Sequence, residues 1–267
     1  MSQGFYLFCL ARLNRLPSLP LEGRGLNGSP LQVIIFQQLA AVCCRVPVED
    51  FCGPQAEEQL GDLTWIGPRA IRHQEVVAGV MLHSPVLPAR FGTIFSSPAK
   101  LEKVMQRHQD TIVQFLERVA DQQEWAIKGL LDRSRAKEKL FSLKLAREAA
   151  RLGALPPGRR YFQEQRLRTD CDHELTQWLR AVFRELWTDL RDFVGEVRER
   201  RLFPREVTGS NKDMVFNWAF LVPEKAVPSF QTRIREANAR HSSGGLEFDC
   251  TGPWPPYNFA TSGTVLL

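Results

Sequence analysis

The stretch Val86-Leu-Pro-Ala-Arg-Phe-Gly-Thr-Ile-Phe95 decides the fold of the first half of the chain. Its β-branched and aromatic residues around Arg90 and Gly92 favour a buried strand. The preceding segment, from Trp65 to His83, is apolar on more than one side, which predicts a helix packed on that strand. The next segment begins with Ser97-Pro98, a capping residue followed by a first-turn proline, and continues with apolar residues at helical spacing. We therefore predict a helix-strand-helix block as the core of this half.

Around this block, the first half reads β-β-β-α-β-α. Two strands, Leu31 to Phe36 and Leu39 to Val46, are predicted to form a hairpin at Gln37-Gln38. The Pro- and Gly-rich segment before them, Arg12 to Pro30, predicts a loop. This order fits an antiparallel sheet with helices on one face.

The second half reads β-α-α-β-β-α-β, a ferredoxin-like order with an elaborated first helical element. Trp125 to Leu131 is its first strand, and its longest helix is predicted over 169–200 from apolar residues in helical phase. Arg205 to Thr208 and Met214 to Val222 are predicted as paired strands. The first half resembles a reduced variant of the same plan.

We predict three regions in an α+β fold with two ferredoxin-like, modified domains and antiparallel sheets. Residues 1–122 form an N-terminal α+β domain, and residues 123–251 form a C-terminal ferredoxin-like domain that contains the long helix. Residues 252–267 form a tail rich in proline and aromatic residues. Three prolines between Pro253 and Pro256 favour an extended, polyproline-like path for the start of this tail.

Composition narrows the class of protein. The net charge of +5 comes from 35 Lys and Arg against 30 Asp and Glu, and the arginines are spread along predicted helices that also carry glutamates, as on a solvated helix face. No apolar run approaches the roughly 18 to 20 residues that span a bilayer, and the N-terminus lacks the basic start of a secretory signal. We expect a cytoplasmic protein without a membrane segment.

Catalytic motifs are missing from the sequence. The five histidines are scattered, the six cysteines contain no C-x-x-C pair, and no phosphate-binding glycine loop or G-x-S-x-G occurs. We therefore predict no enzyme activity, metal, cofactor or small-molecule substrate. Arginine-rich stretches keep an RNA-binding module open as the alternative, although neither central strand carries the aromatic pattern of an RNA-recognition sheet.

Two features carry the candidate binding positions. Arg90, inside an apolar strand, is either a buried arginine that pins the strand or a partner-binding residue. The tail either folds back to seal the gap between the two domains or is an exposed recognition segment. The candidate structural or partner-binding residues are Arg90, Phe91, Gly92, Phe95, Trp125, Trp254, Pro255, Tyr257 and Phe259.

A family resemblance rests on segments that span the chain in order. They are His73-Gln-Glu-Val-Val77 with Val86–Phe95, Glu124-Trp-Ala-Ile-Lys128, Asn217-Trp-Ala-Phe-Leu-Val222 and Thr251-Gly-Pro-Trp-Pro-Pro-Tyr-Asn-Phe259. Together they resemble the GvpF/GvpL family of gas vesicle accessory proteins. The resemblance implies two ferredoxin-like domains and a tail, and a minor or accessory role in building the gas vesicle. It also implies as partners the small hydrophobic shell protein and other gas vesicle accessory proteins. An apolar or sheet-edge surface of the N-terminal domain is the predicted binding site for the shell protein.

Overall fold

The computed structural model describes residues 2–16 and 23–260, apart from the side chains of residues 55, 170 and 208. It contains two β-sheets combined with helices, which confirms the predicted α+β class. The chain divides into two compact units. The first unit contains the chain up to Glu124 together with the segment from Pro253 onward, and the second runs from Trp125 to Gly252.

The first unit is built on a sheet in the order β2-β3-β1-β4, with β5 also paired to β1. Its elements are β1 (Gln3–Arg12), β2 (Leu31–Phe36), β3 (Leu39–Pro47), α1 (Pro54–Gly61), α2 (Leu63–Met81), β4 (Val86–Pro88), β5 (Ile94–Phe95), α3 (Pro98–Arg107) and α4 (Gln109–Arg118). The pairs β1–β3, β1–β4, β1–β5 and β2–β3 are all antiparallel. The predicted hairpin is present, because Phe36 pairs with Leu39 and Gln37 turns the chain with a φ of 51°. Within the loop predicted over Arg12 to Pro30, residues 17–22 lie outside the described part.

The stretch 86–95 differs from the predicted single strand. It forms two short strands that both pair with β1, separated by a turn in which Thr93 N donates to Arg90 O (3.1 Å). Pro88 has no N–H to extend the ladder, and Gly92 has a φ of 87°, a conformation that favours glycine. The turn also places Arg90 in an exposed position, so the prediction of a buried arginine is wrong.

Helix α2 covers this sheet through an aliphatic face. Val76, Val77 and Val80 are at most 5% exposed and pack with strand residues such as Phe8 and Val42. The predicted cap at the next helix is also present, because the Ser97 hydroxyl accepts from Lys100 N. The helical segment after it is interrupted at His108, where α3 ends and α4 begins.

The second unit has a sheet in the order β7-β8-β6-β9. Its elements are β6 (Gln122–Leu131), α5 (Arg133–Gly153), α6 (Pro157–Leu190), β7 (Glu196–Glu199), α7 (Arg205–Thr208), β8 (Asp213–Pro223), α8 (Val227–His241) and β9 (Leu246–Trp254). In each unit the first strand lies between the third and the fourth, and the second strand pairs with the third. The two units therefore share one strand order. Between β1 and β2, the described residues contain only short 3-10 turns where the second unit has its helical hairpin.

The long helix lies earlier in the sequence than predicted. It begins at Pro157, where the missing N–H is harmless, and ends at Leu190, so the predicted helix over 169–200 is wrong at both ends. Residues after Leu190 leave helical phase because Glu196–Glu199 gains backbone partners on β8, pairing from Glu196–Leu221 to Glu199–Trp218. Val197 satisfies the helical spacing but packs on the core from a strand.

The segment Arg205–Thr208 is helical, so the strand predicted there is wrong. It forms a single helical turn after Pro204 and is closed by Gly209 in the left-handed conformation (φ 63°). The pairing predicted for it is made by β7 instead, which lies against β8.

Candidate functional site

A buried hydrogen-bonded pair, Tyr6 on β1 and His73 on α2, lies at the centre of the first unit. Tyr6 Oη lies 2.7 Å from His73 Nδ1, and Gly92 N donates to Tyr6 Oη (3.3 Å). Since the hydroxyl oxygen accepts from Gly92, its own hydrogen can donate to Nδ1, which assigns the proton of the neutral imidazole to Nε2. His73 is 4% exposed and Tyr6 is fully buried. The pair therefore ties β1, α2 and the 90–93 turn together.

Aromatic rings surround this pair. Phe91 lies 6.0 Å from both the Tyr6 and the His73 ring centroid, and Phe51 lies 5.3 Å from Tyr6. The tail adds Tyr257, whose ring centroid is 6.3 Å from that of His73. Edge-to-face and tilted contacts of this kind contribute about 0.5 to 1.5 kcal/mol each beyond area burial.

Burial holds both members of the central pair neutral. Loss of solvation lowers the pKa of His73 to about 4, and a backbone contact with Ala89 opposes that shift. Burial likewise raises the pKa of Tyr6, and the hydrogen bond from Gly92 opposes the rise. Neither group can readily exchange a proton with a ligand in solution, because both side chains are enclosed. The pair is suited to positioning elements rather than to acid-base chemistry.

The tail is a folded part of the first unit. After Trp254, at the end of β9, a tight turn forms in which Tyr257 N donates to Pro255 O (2.7 Å) and Ala260 N donates to Pro256 O (3.0 Å). Phe259 is fully buried, and its carbonyl accepts from Arg118 Nη2 (3.0 Å). The predicted extended path therefore holds only as far as Trp254. Residues 261–267 of the predicted tail lie outside the described part of the chain.

Glu124 fixes the tail through a buried carboxylate. Its side chain accepts from Asn258 N (3.1 Å) and from Asn258 Nδ2 (2.5 Å), and the residue is 2% exposed. Two charge-assisted bonds to one residue fix both position and orientation. Glu124 and Asn258 lie in two different segments of the family resemblance, Glu124–Lys128 and Thr251–Phe259. The structure brings these two segments into contact.

The predicted site residues fall into separate environments. Phe91 and Gly92 belong to the aromatic cluster around Tyr6, and Phe95 pairs with Phe5 in the β1–β5 ladder. Trp125 is 7% exposed in the core of the second unit. Pro255 and Phe259 are buried, Tyr257 is half-buried and Trp254 is 40% exposed. The predicted residues therefore occupy packing positions in both units and do not form one continuous surface.

Sequence reasoning missed the residues that organise this centre. Tyr6, Glu124 and Asn258 received no role, although Glu124 and Asn258 lay inside quoted segments. A glutamate followed directly by the strand Trp125 to Leu131 is a detectable signal, since an acidic residue at the start of an apolar strand needs a donor when buried. The identity of that donor depends on tertiary structure.

The first unit also carries an exposed apolar strip that spans the end of α1 and the first half of α2. Leu63 is 82% exposed, Ile71 is 62% exposed and Leu60 is 40% exposed. Gly67 lies between Leu63 and Ile71 on the same side of α2, since these three residues are four apart. A side chain placed at Gly67 would enter open space. The sheet of this unit ends at strand β2, where Ile35 is 47% exposed.

The metal-ligating side chains of the described part do not converge. There, no group of three or more His, Cys, Asp and Glu side chains is placed to hold a metal ion. All six cysteines are free, and burial raises the pKa of Cys43 to about 12. In residues 2–16 and 23–260, no helix is both long and apolar enough to cross a membrane.

The fold defines a two-unit α+β protein in which the C-terminal segment returns to complete the first unit. The chain belongs to the family of gas vesicle synthesis proteins GvpL/GvpF, which matches residues 4–261. The resemblance read from the sequence segments is thereby confirmed.

Individual relatives agree with this assignment. Gas vesicle protein L of a Streptomyces species is 26% identical over 245 residues, which cover 91% of this chain and 87% of that protein. Gas vesicle protein L1 of Halobacterium salinarum is 25% identical over 274 residues, covering 97% of this chain and 91% of that protein.

Two crystal structures share the fold. GvpF from Anabaena matches with a TM-score of 0.70 and 16% identity, over 97% of this chain and 99% of that chain. GvpF from Microcystis aeruginosa matches with a TM-score of 0.65 and 18% identity over the same shares. At these identities the likeness concerns the fold.

Proposed function

We propose that the protein is a non-enzymatic accessory protein of gas vesicle assembly that binds the vesicle shell protein through the exposed apolar strip Leu60, Leu63 and Ile71. Family membership supports the gas vesicle role. The strip supports the location, because Leu60 on α1 and Leu63 and Ile71 on α2 are all exposed in the first unit, and Leu63 and Ile71 share one side of α2. Single exposed apolar residues are common on monomers, but exposed Leu63 and Ile71 on one side of α2, with open space at Gly67 between them, suit an interface.

The chemistry of the strip fits a hydrophobic partner. Burying exposed leucine and isoleucine side chains contributes about 1.5 to 3 kcal/mol each, so a few anchors can supply much of the binding energy. Held on this surface, shell subunits would be kept from aggregating before assembly. The protein would act in the cytoplasm and at the growing vesicle, together with other accessory proteins.

The experiment is a pull-down of shell protein co-expressed with the chain, in lysate with and without nuclease. The blocking variant is Gly67→Glu, which adds a charged side chain in open space at the centre of the strip without removing any contact. The matched control is Gly79→Glu, at a second open glycine on the same helix, about 120° around the axis from Gly67.

The two variants carry different local costs, so the melting temperature of each is compared with that of the wild type. Gly67 precedes Pro68, whose ring disfavours helical backbone at the preceding residue when that residue has a Cβ. The carboxylate that Gly79→Glu introduces would face Glu75 one turn away, at a cost of a few tenths of a kcal/mol, whereas Gly67 has Leu63 and Ile71 at that spacing. At Gly79, replacing the helical glycine should otherwise raise stability by up to about 1 kcal/mol. Loss of capture in Gly67→Glu alone, with a melting temperature close to that of the wild type, would thus reflect a blocked surface.

We expect nuclease-resistant capture by the wild type and by Gly79→Glu, and at least tenfold weaker capture by Gly67→Glu. Equal capture by both variants would place the binding site elsewhere, and loss with Ile35→Glu would then indicate the edge of strand β2. Capture lost with nuclease would favour the RNA-binding alternative. Two ion pairs argue against that alternative, because Glu164 neutralises Arg160 and Glu196 neutralises Arg198.

A further inference from the structure

The second unit contains an open groove of about 470 Å³ that the proposed shell-binding strip does not use. Helix α6 forms one wall, the segment 202–205 forms the other, and the start of β8 lies between them. The residues that carry the argument are Arg180, Phe183, Leu202, Phe203, Arg205 and Asp213.

The walls are apolar and accessible. Leu202 is 48% exposed and Phe203 is 37% exposed. These adjacent residues precede Pro204, whose backbone is extended. Across the groove, the ring of Phe183 packs on Phe216 with centroids 5.0 Å apart, which fixes its position. A rigid aromatic on one side and two exposed apolar residues on the other form a slot for apolar side chains.

The rim is cationic. Asp213 accepts from Arg133 Nε (3.0 Å) and from Arg205 Nε (2.5 Å), and its hydrogen bond with Arg205 is the main cause of its lowered pKa. The hydrogen bond with Asp213 is also the main cause of the raised pKa of Arg205, and the negative charges of Asp132 and Glu206 add to that rise. Arg180, by contrast, has no hydrogen bond or ion pair with any described residue, and it is exposed at the groove. The groove therefore presents one unmatched guanidinium beside an apolar slot.

We propose that this groove binds an amphipathic helical segment of a partner protein, with apolar side chains between Phe183 and Phe203 and a carboxylate on Arg180. The open shape suits a segment of polypeptide more than a small molecule, which would need enclosure on most sides. Charge complementarity selects an acidic segment, since a basic one would face Arg133, Arg180 and Arg205. The helix-in-groove mode supplies apolar anchors at three- and four-residue spacing, with a carboxylate on the flank.

This inference goes beyond the proposed shell binding and uses different residues. All groove residues belong to the second unit, whereas the strip belongs to the first. Arg180→Glu should therefore leave shell-protein capture unchanged, and Gly67→Glu should leave the groove intact. Failure of one proposal can thus be distinguished from failure of the other.

The test places a photocrosslinking amino acid at Leu202 of the full chain in cells that express the whole gas vesicle gene cluster. The matched control places it at Leu143, which is also 48% exposed in the second unit but does not line the groove. Mass spectrometry then identifies the crosslinked segment. We expect one segment crosslinked at Leu202 and not at Leu143, with apolar residues at helical spacing and at least one Asp or Glu.

A synthetic peptide of that segment is then titrated against the full chain by fluorescence anisotropy. Arg180→Glu should weaken binding at least tenfold, and replacing the facing carboxylate of the peptide by lysine should restore affinity to that variant. Arg180→Glu removes no hydrogen bond or ion pair with a described residue, so its melting temperature, measured alongside, should stay close to that of the wild type. The proposal fails if Leu202 yields no product beyond the control, if the segment is basic or lacks carboxylates, or if Arg180→Glu binds with unchanged affinity.

Discussion

Acidification should destabilise the first unit through His73, whose buried imidazole is neutral in the folded chain. Its folded pKa of about 4 lies below the ordinary value of 6.5. Between these values the unfolded chain binds a proton that the folded chain excludes, so stability is complete above pH 6.5 and falls as the pH drops toward 4. At 1.36 kcal/mol per pKa unit, the total loss is about 3 kcal/mol, of which about 2 kcal/mol falls between pH 7 and pH 5.

The measurement is urea unfolding at about pH 7, 6 and 5, followed by hydrogen exchange of the β1 amides so that the first unit is observed alone. The variant His73→Gln can still accept a hydrogen bond from Tyr6 but does not titrate in this range. It should be less stable at pH 7, because the smaller side chain packs less well, yet it should lose about 2 kcal/mol less than the wild type on acidification.

The control is His241→Gln in the second unit. Burial also lowers the pKa of His241, but this residue packs on Trp178 and lies 3.7 Å from Glu185. Its replacement should leave the pH dependence of β1 exchange unchanged. The reasoning is refuted if wild type and His73→Gln lose the same free energy between pH 7 and pH 5.

Three further perturbations test the turn and the tail. Gly92→Ala should cost about 1 to 2 kcal/mol of unfolding free energy in urea, because an L side chain is strained at a φ of 87°; Gly79→Ala, at an ordinary helical position, should cost nothing. Phe259→Ala should cost about 3 to 5 kcal/mol, since it empties a fully buried aromatic site, and calorimetry should show a lower melting temperature. Glu124→Ala leaves two Asn258 donors without their acceptor and should cost about 1 to 3 kcal/mol, with faster exchange at the Asn258 amide; an unchanged exchange rate would contradict the role assigned to the carboxylate.

Local chemistry was enough to predict much of the fold. The β2–β3 hairpin followed from two β-rich runs separated by Gln37-Gln38, and the helix start at Ser97 followed from its capping chemistry. In each case the deciding interaction joins residues no more than four positions apart: Phe36 pairs with Leu39, and Ser97 accepts from Lys100 N. Such contacts can be inferred from sequence because no distant partner is needed.

The wrong or missed predictions arise where the deciding interaction involves tertiary structure rather than near neighbours in sequence. Val197 keeps helical spacing with the residues before it. In the structure, however, its segment pairs with β8, and Val197 packs on the core from that strand. Arg90 was placed inside the sheet because its neighbours are apolar, whereas the left-handed Gly92 turns the chain outward. The bond between Glu124 and Asn258 joins residues 134 apart in sequence, which neither periodicity nor motif spacing specifies.

The return of the chain to the first unit sets the order in which the protein can mature on the ribosome. The first unit is unfinished at Glu124, because the turn that buries Phe259 and caps the Glu124 carboxylate is made only after the whole of Trp125–Gly252. At translation rates of about 5 to 20 residues per second, that interval is on the order of ten seconds. During this time a nascent chain presents the Tyr6 and His73 cluster without its Tyr257 cover, while the second unit has all of its own sequence available first. The first unit therefore begins first and is completed last, because the second unit is inserted between its two parts. A chain terminated at Gly252 would lack the segment that completes the first unit.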